Sequence, residues 1–156
     1  MSACFPELVE EVAAVRYDFV ADSELVVLDR EGSSVWERLH ERHRLKDPKK
    51  IARATIEDPA AMFVFDLLWL DGADFRPRPL LQRKDALHRM LPANRRIRYA
   101  AHINDNCADL WRLANAMDLE GIVAKRSDSP YEAGRSNYWQ KVKTTTGAKR
   151  ERQRRP

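Results

Sequence analysis

Within FPELVEEVAAV, residues 5–15, apolar side chains at Leu8, Val9, Val12 and Ala13 recur at helical spacing, and Pro6 suits a first turn; a short helix is predicted. The period then changes. YDFVADSELVVLD carries Phe19, Val20, Leu25, Val26, Val27 and Leu28, the aromatic, β-branched and aliphatic content of a strand, and REGSS behind it reads as a turn. SVWERLHERHRL returns to a helical but polar pattern. MFVFDLLWLDG, residues 62–72, is the most hydrophobic run in the chain, and its Phe and Val content and its Asp71-Gly72 end predict a buried strand closed by a tight turn.

RPRPLLQRKDALHRML predicts an amphipathic helix opening at Pro79, with Leu80, Leu81, Ala86, Leu87, Met90 and Leu91 as its apolar positions. RRIRYA is a short strand. NDNCADLWRLANAMD predicts a capped amphipathic helix carrying Leu110, Trp111, Ala114 and Met117, and two late strands, GIVAKR and NYWQKVK, flank the loop SDSPYEAGRS. Strands and helices mixed without regular βαβ alternation predict an α+β fold.

Composition narrows the setting. A chain of 156 residues suits one domain or a large piece of one. With 33 % charged residues, a mean hydropathy of −0.61 and no apolar run long enough to cross a bilayer, a membrane span is excluded from the expectation. MSACFPELVEEV lacks the basic and apolar regions of a secretory signal, and Cys4 and Cys107 lie far apart, so a cytoplasmic chain with reduced thiols is expected. His40 and His43 share a helical face, but the charges crowding them point to a solvated face rather than a metal site. The net charge of +4 is unevenly spread: residues 141–156 hold seven Lys or Arg against one Glu. Such a basic end suits either a phosphate backbone or a frayed, solvated terminus.

Three segments combine strand residues with charges that a strand does not need for folding: ADSELVVLD with Asp22 and Glu24, LEGIVAKR with Glu120, Lys125 and Arg126, and NYWQKVK with Lys141 and Lys143. By the two-residue period Trp139, Lys141 and Lys143 share a face, so two ammonium groups project together. Phosphate is the common anion that satisfies such a pair, although lysines also protect exposed strand edges from aggregation. Glu120 and Lys125 bracket the apolar Ile122, Val123 and Ala124, and a carboxylate at a strand mouth can hold a divalent cation. Phe65 reads as a core aromatic by itself, whereas Asp66 beside it needs a partner within its apolar run.

In order and combination these segments resemble the adenylation domain of ATP-dependent DNA ligases, of the short bacterial and end-joining type. That family's ordered motifs are Lys-x-Asp-Gly, Asp-Gly-Glu, Phe-Asp in an apolar strand, Glu-Gly-x-x-x-Lys and Trp-x-Lys-x-Lys. Four of them occur here, as DSE at residues 22–24, VFDLLWLDG from Val64, EGIVAK at 120–125 and WQKVK at 139–143. The resemblance implies a partial nucleotidyltransferase domain over residues 1–143, with antiparallel sheets flanked by helices and no OB-fold, and a basic, disordered tail over 144–156. No Lys-x-Asp-Gly occurs, so the chain is expected to begin downstream of the nucleophilic lysine, and Ser23 stands where the family usually has Gly.

By the same resemblance Phe65 stacks on adenine, and Glu24 contacts the ribose or lies near the metal. Glu120 helps to hold Mg²⁺, Lys141 and Lys143 neutralise the α-phosphate of ATP, and Lys125 is a lesser nucleotide contact. The implied partner is nicked or broken double-stranded DNA, with room for a separate polypeptide to supply the missing motif. The implied activity is nick sealing by adenylyl transfer in DNA repair and recombination. A non-catalytic nucleotide- or DNA-binding remnant and a nonfunctional gene fragment stay open as alternatives: binding without a covalent adduct favours the first, failure to fold the second.

Overall fold

The computed structural model describes residues 2–92 and 96–154. The chain divides into two compact units, residues 1–77 with 81–100 and residues 78–80 with 101–156.

In the first unit a 3₁₀ turn at Ser2–Cys4 leads into α1 (Pro6–Ala13), β1 (Phe19–Val27), α2 (Trp36–Arg44), α3 (Pro48–Glu57), β2 (Ala60–Leu70), β3 (Ala73–Asp74), α4 (Leu80–Met90) and β4 (Ile97–Tyr99). The long apolar run is β2, the centre of the sheet. β1 lies antiparallel along its whole length, β4 runs parallel to Met62–Val64, and β3 folds back on Trp69 and Leu70. Asp71 and Gly72, both at positive φ (45° and 87°), make the expected tight turn between β2 and β3. Val15, Val64, Leu67, Phe75, Leu87, Met90 and Ile97 form the main core, and Phe5, Leu8, Val27 and Ala60 a second one.

Two expectations change here. α3 was not anticipated, although its start is written in Asp47-Pro48: the Asp47 carboxylate accepts from the Lys49 N–H at 2.8 Å, and Pro48 occupies the first turn. The stripe of α1 is displaced, with Val9 46 % exposed and Glu7 7 % exposed. Glu7 enters because Arg42 of α2 meets it at 2.7 Å, and the same carboxylate oxygen accepts from the N–H of Ala60. The RRIRYA strand is present as β4, with Arg95 outside the described residues.

The second unit holds α5 (Cys107–Ala116), β5 (Gly121–Lys125), β6 (Trp139–Lys143) and α6 (Thr145–Arg154). β5 and β6 form an antiparallel pair. The start of α5 differs from a side-chain cap: Asn106 is left-handed (φ 57°) and makes no capping bond, and Met117 is 60 % exposed. The segment expected to be a disordered tail carries α6 instead. Thr144 caps it, its hydroxyl accepting from the Gly147 N–H at 3.1 Å and donating to the Leu119 carbonyl. Arg155 and Pro156 lie outside the described residues. Among the described residues no helix is long and apolar enough to cross a membrane. The mixed helices and antiparallel sheets match the α+β expectation.

Candidate functional site

In the first unit, the charged strand segment and the Phe-Asp segment lie side by side. Asp22 pairs with Asp66, Ser23 with Val64 and Glu24 with Phe63, so Phe65 is the extra residue of a β-bulge. A bulge resets the alternation of a strand. Val64 and Leu67, three residues apart, therefore enter the same core, which a strict period of two forbids. Phe65 is half-buried and Glu24 exposed. Ser23 has no positive φ, so the strand takes serine at this position without backbone strain.

The partner that Asp66 requires is Arg83 on α4. Its Nε donates to Oδ1 at 2.7 Å and its Nη2 to Oδ2 at 2.9 Å, both side chains being 0 % exposed. Lys84, next in sequence, donates from Nζ to the carbonyls of Phe65 (3.4 Å) and Ala100 (2.9 Å) and lies 4.7 Å from the Tyr99 ring centroid. Burial pushes the Tyr99 phenol above its usual range, with the Asp85 charge adding to the shift. Sequence reasoning did not single out Arg83 or Lys84 for this role. The signal was their position in α4: three and four residues after Leu80 and ahead of Leu87, they fall on the buried stripe, where a cation must find an acceptor.

In the second unit, the β5–β6 register sets Gly121 opposite Lys143, Val123 opposite Lys141 and Lys125 opposite Trp139. Lys125, Lys141 and Lys143 thus share one face of the pair, as the two-residue period predicts for the last two. Lys125 Nζ stands 3.6 Å from the Trp139 ring centroid, and Tyr131 meets the same ring edge-on at 5.7 Å. Lys141 Nζ donates to Glu120 Oε1 at 2.7 Å, with both side chains 50 % exposed. The Lys143 carbonyl accepts from Trp111 Nε1 at 3.0 Å, which ties β6 to α5.

Two glycines allow this packing. A Cβ on Gly121 would lie 2.5 Å from the Val142 carbonyl oxygen, so the Gly of the Glu-Gly pair lets β5 and β6 close just beside Glu120. A Cβ on Gly147 would overlap the Glu120 carbonyl, so α6 reaches that backbone only because residue 147 lacks one. Gly147 and Thr144 were missed because TTTG was read as the start of a tail, although a threonine three residues before the close contact is a capping signal.

The six residues expected to serve a nucleotide therefore fall into two sets: Glu24 and Phe65 on the first unit, and Glu120, Lys125, Lys141 and Lys143 on the second. Among the described residues no three His, Cys, Asp or Glu gather as a metal cage, and His40 stacks on Trp36. The turn between α2 and α3 adds a feature that sequence reasoning passed over: Arg44, Lys46, Lys49 and Lys50 are all exposed.

The mixed sheet with its bulged Phe-Asp strand in the first unit, and the lysine-faced strand pair in the second, match the nucleotidyltransferase fold. The family model described as the ATP dependent DNA ligase domain matches residues 1–143, and the chain belongs to that family. A probable DNA ligase of Mycobacterium sp. (strain KMS) is 34 % identical over 148 residues, 92 % of this chain and 27 % of the relative. One from Anaeromyxobacter dehalogenans is 35 % identical over 146 residues, again 92 % of this chain and 28 % of the relative. Two solved structures share the fold at 27 % identity. One, a mycobacterial DNA ligase D complexed with ATP and MES, has a TM-score of 0.67 over 87 % of this chain and 40 % of that one. The other, the ligase domain from M. tuberculosis LigD, has a TM-score of 0.68 over 88 % of this chain and 40 % of that one. The chain thus spans about a quarter of the length of the curated relatives.

Proposed function

We propose that this chain supplies the nucleotide-handling part of an ATP-dependent DNA ligase that seals nicked or broken duplex DNA in cytoplasmic repair and recombination. The observation that carries the reading is the β5–β6 face, where Lys125, Lys141 and Lys143 stand together and Glu120 meets Lys141 at 2.7 Å. Phosphate oxygens match such a cluster, since each ammonium donates charge-assisted hydrogen bonds to them. Lys141 and Lys143 stabilise charge on the α-phosphate, Lys125 is held at its strand end by the Trp139 ring, and Phe65 offers a face to adenine with Glu24 toward the ribose.

Mg²⁺ fits this donor set in one way. It is commonly bound through one or two carboxylates, retained waters and substrate phosphates rather than an all-protein cage, and Glu120, half exposed, is the carboxylate placed to take part. When bound, the ion supplies positive charge to the phosphates. Lys141 exchanges Glu120 for a phosphate oxygen as the nucleotide arrives. Contact with duplex DNA is supported by the exposed cations of the α2–α3 turn and by Lys149 and Arg152 on α6.

The attacking amine is not among these groups. Lys125, Lys141 and Lys143 are fixed on strands as phosphate contacts, and a nucleophile displaced by ångströms loses its rate advantage. We assign it to a Lys-x-Asp-Gly segment not contained in these 156 residues, on a longer chain or a second polypeptide. The chain alone, given α-labelled ATP and Mg²⁺, is expected to form no acid-stable, hydroxylamine-sensitive lysyl-AMP. A stoichiometric adduct on any of its lysines overturns that assignment, and peptide mapping names the lysine.

A further inference from the structure

The bulge at Phe65 is held from α4 at two consecutive points. Arg83 takes the Asp66 carboxylate, and Lys84 reaches the carbonyl of Phe65 itself. Lys84 is 5 % exposed, a depth at which an ammonium is retained only if its donors are used. Its second acceptor, the Ala100 carbonyl at 2.9 Å, follows β4, whose Tyr99 ring lies 4.7 Å from the same ammonium. One cation therefore links the bulge of β2 to the end of β4.

This matters for aim. The residues on either side of a bulge keep their ladder bonds, but the direction of the extra residue's Cα–Cβ bond depends on how its peptide is turned. An acceptor bond to the Phe65 carbonyl fixes that peptide. We infer that Lys84 is a positioning residue for Phe65: by holding the bulged carbonyl it sets the orientation of the aromatic ring that faces the base of the nucleotide. The inference rests on the reading that Phe65 stacks on adenine. It separates Lys84 from Arg83, whose contact is to the neighbouring side chain and whose loss strikes the fold first.

The ligands that test it are ATP and tripolyphosphate, each with Mg²⁺, titrated calorimetrically against the chain and its Lys84→Met, Lys84→Arg, Phe65→Ala and Lys84→Met/Phe65→Ala variants. Methionine keeps the buried stem and removes the donors. Lys84→Met is expected to weaken ATP about tenfold, the scale of a lost base stack, with tripolyphosphate unchanged. Phe65→Ala is expected to do the same, and the double variant to be no worse than Phe65→Ala. Equal weakening of both ligands by Lys84→Met, no weakening of ATP, or a full second loss in the double variant overturns the inference. If Lys84→Met gives no cooperative melt, Lys84→Arg decides by the same pair of ligands, since it keeps the charge and moves the donors. ATP binding unchanged by Phe65→Ala defeats the stacking role itself, whatever Lys84 does.

Discussion

Arg83 and Asp66 close on one another through two hydrogen bonds of 2.7 and 2.9 Å, with both side chains fully buried and the Asp66 carboxylate also accepting from the Leu67 N–H at 2.9 Å. Breaking such a pair from one side strands a charge in the core. Arg83→Met is expected to cost about 3–5 kcal/mol of stability in urea unfolding. Replacing both partners, as Asp66→Leu with Arg83→Met, is expected to cost less than Arg83→Met alone, because no charge is left behind. A double variant whose cost equals the sum of the two singles contradicts this account of the pair.

Gly147 gives a prediction with a reversed sign. In an exposed helix interior, Gly→Ala stabilises by roughly 1 kcal/mol through helix propensity. Here the added methyl meets the Glu120 carbonyl carbon at 2.8 Å as well as its oxygen, so Gly147→Ala is expected to destabilise the chain by about 1–3 kcal/mol. Thermal unfolding followed by circular dichroism reads the sign directly. A raised melting temperature means that α6 does not pack against Glu120.

Tyr99 sets a pH dependence at the alkaline end. Burial, reinforced by Asp85, raises its phenol above the ordinary value of 10.0. A group with a raised folded pKa contributes stability that is complete below its unfolded pKa and is lost as pH rises through the folded one. Absorbance titration of the phenolates, as wild type minus Tyr99→Phe, is expected to show one of the four tyrosines ionising later than free tyrosine. A difference curve centred at the ordinary value contradicts the burial of this ring.

The sequence exposed most elements because their periods are clean. β2 was visible from its apolar run and its Asp-Gly turn, and the shared face of Lys141 and Lys143 from a spacing of two. The bulge at Phe65 was not visible, because a single extra residue in a strand leaves no mark in an uninterrupted apolar run, yet it changes which side the next residues face, until a second shift at Leu68. Asp66 announced its need for a partner without naming it, since Arg83 lies 17 residues away and only the fold brings them together. α6 was lost to composition: its arginines and lysines suit a solvated tail, and the decisive features are a single capping hydroxyl and one missing Cβ. Glu120 and Lys141 were each singled out, yet their pairing depends on a hairpin register that the long loop between the strands conceals.

The central claim is that the lysine-faced hairpin recognises the phosphates of ATP as a built site and not as loose positive charge. Calorimetric titration of ATP with Mg²⁺ tests it in three proteins: the chain itself, Lys141→Ala with Lys143→Ala, and Lys149→Ala with Arg152→Ala, which removes the same charge from α6. Weak, Mg²⁺-dependent binding is expected in the chain, with a loss of about tenfold or more in the hairpin variant and little change in the α6 variant. Equal losses in the two variants, or binding indifferent to Mg²⁺, contradict it.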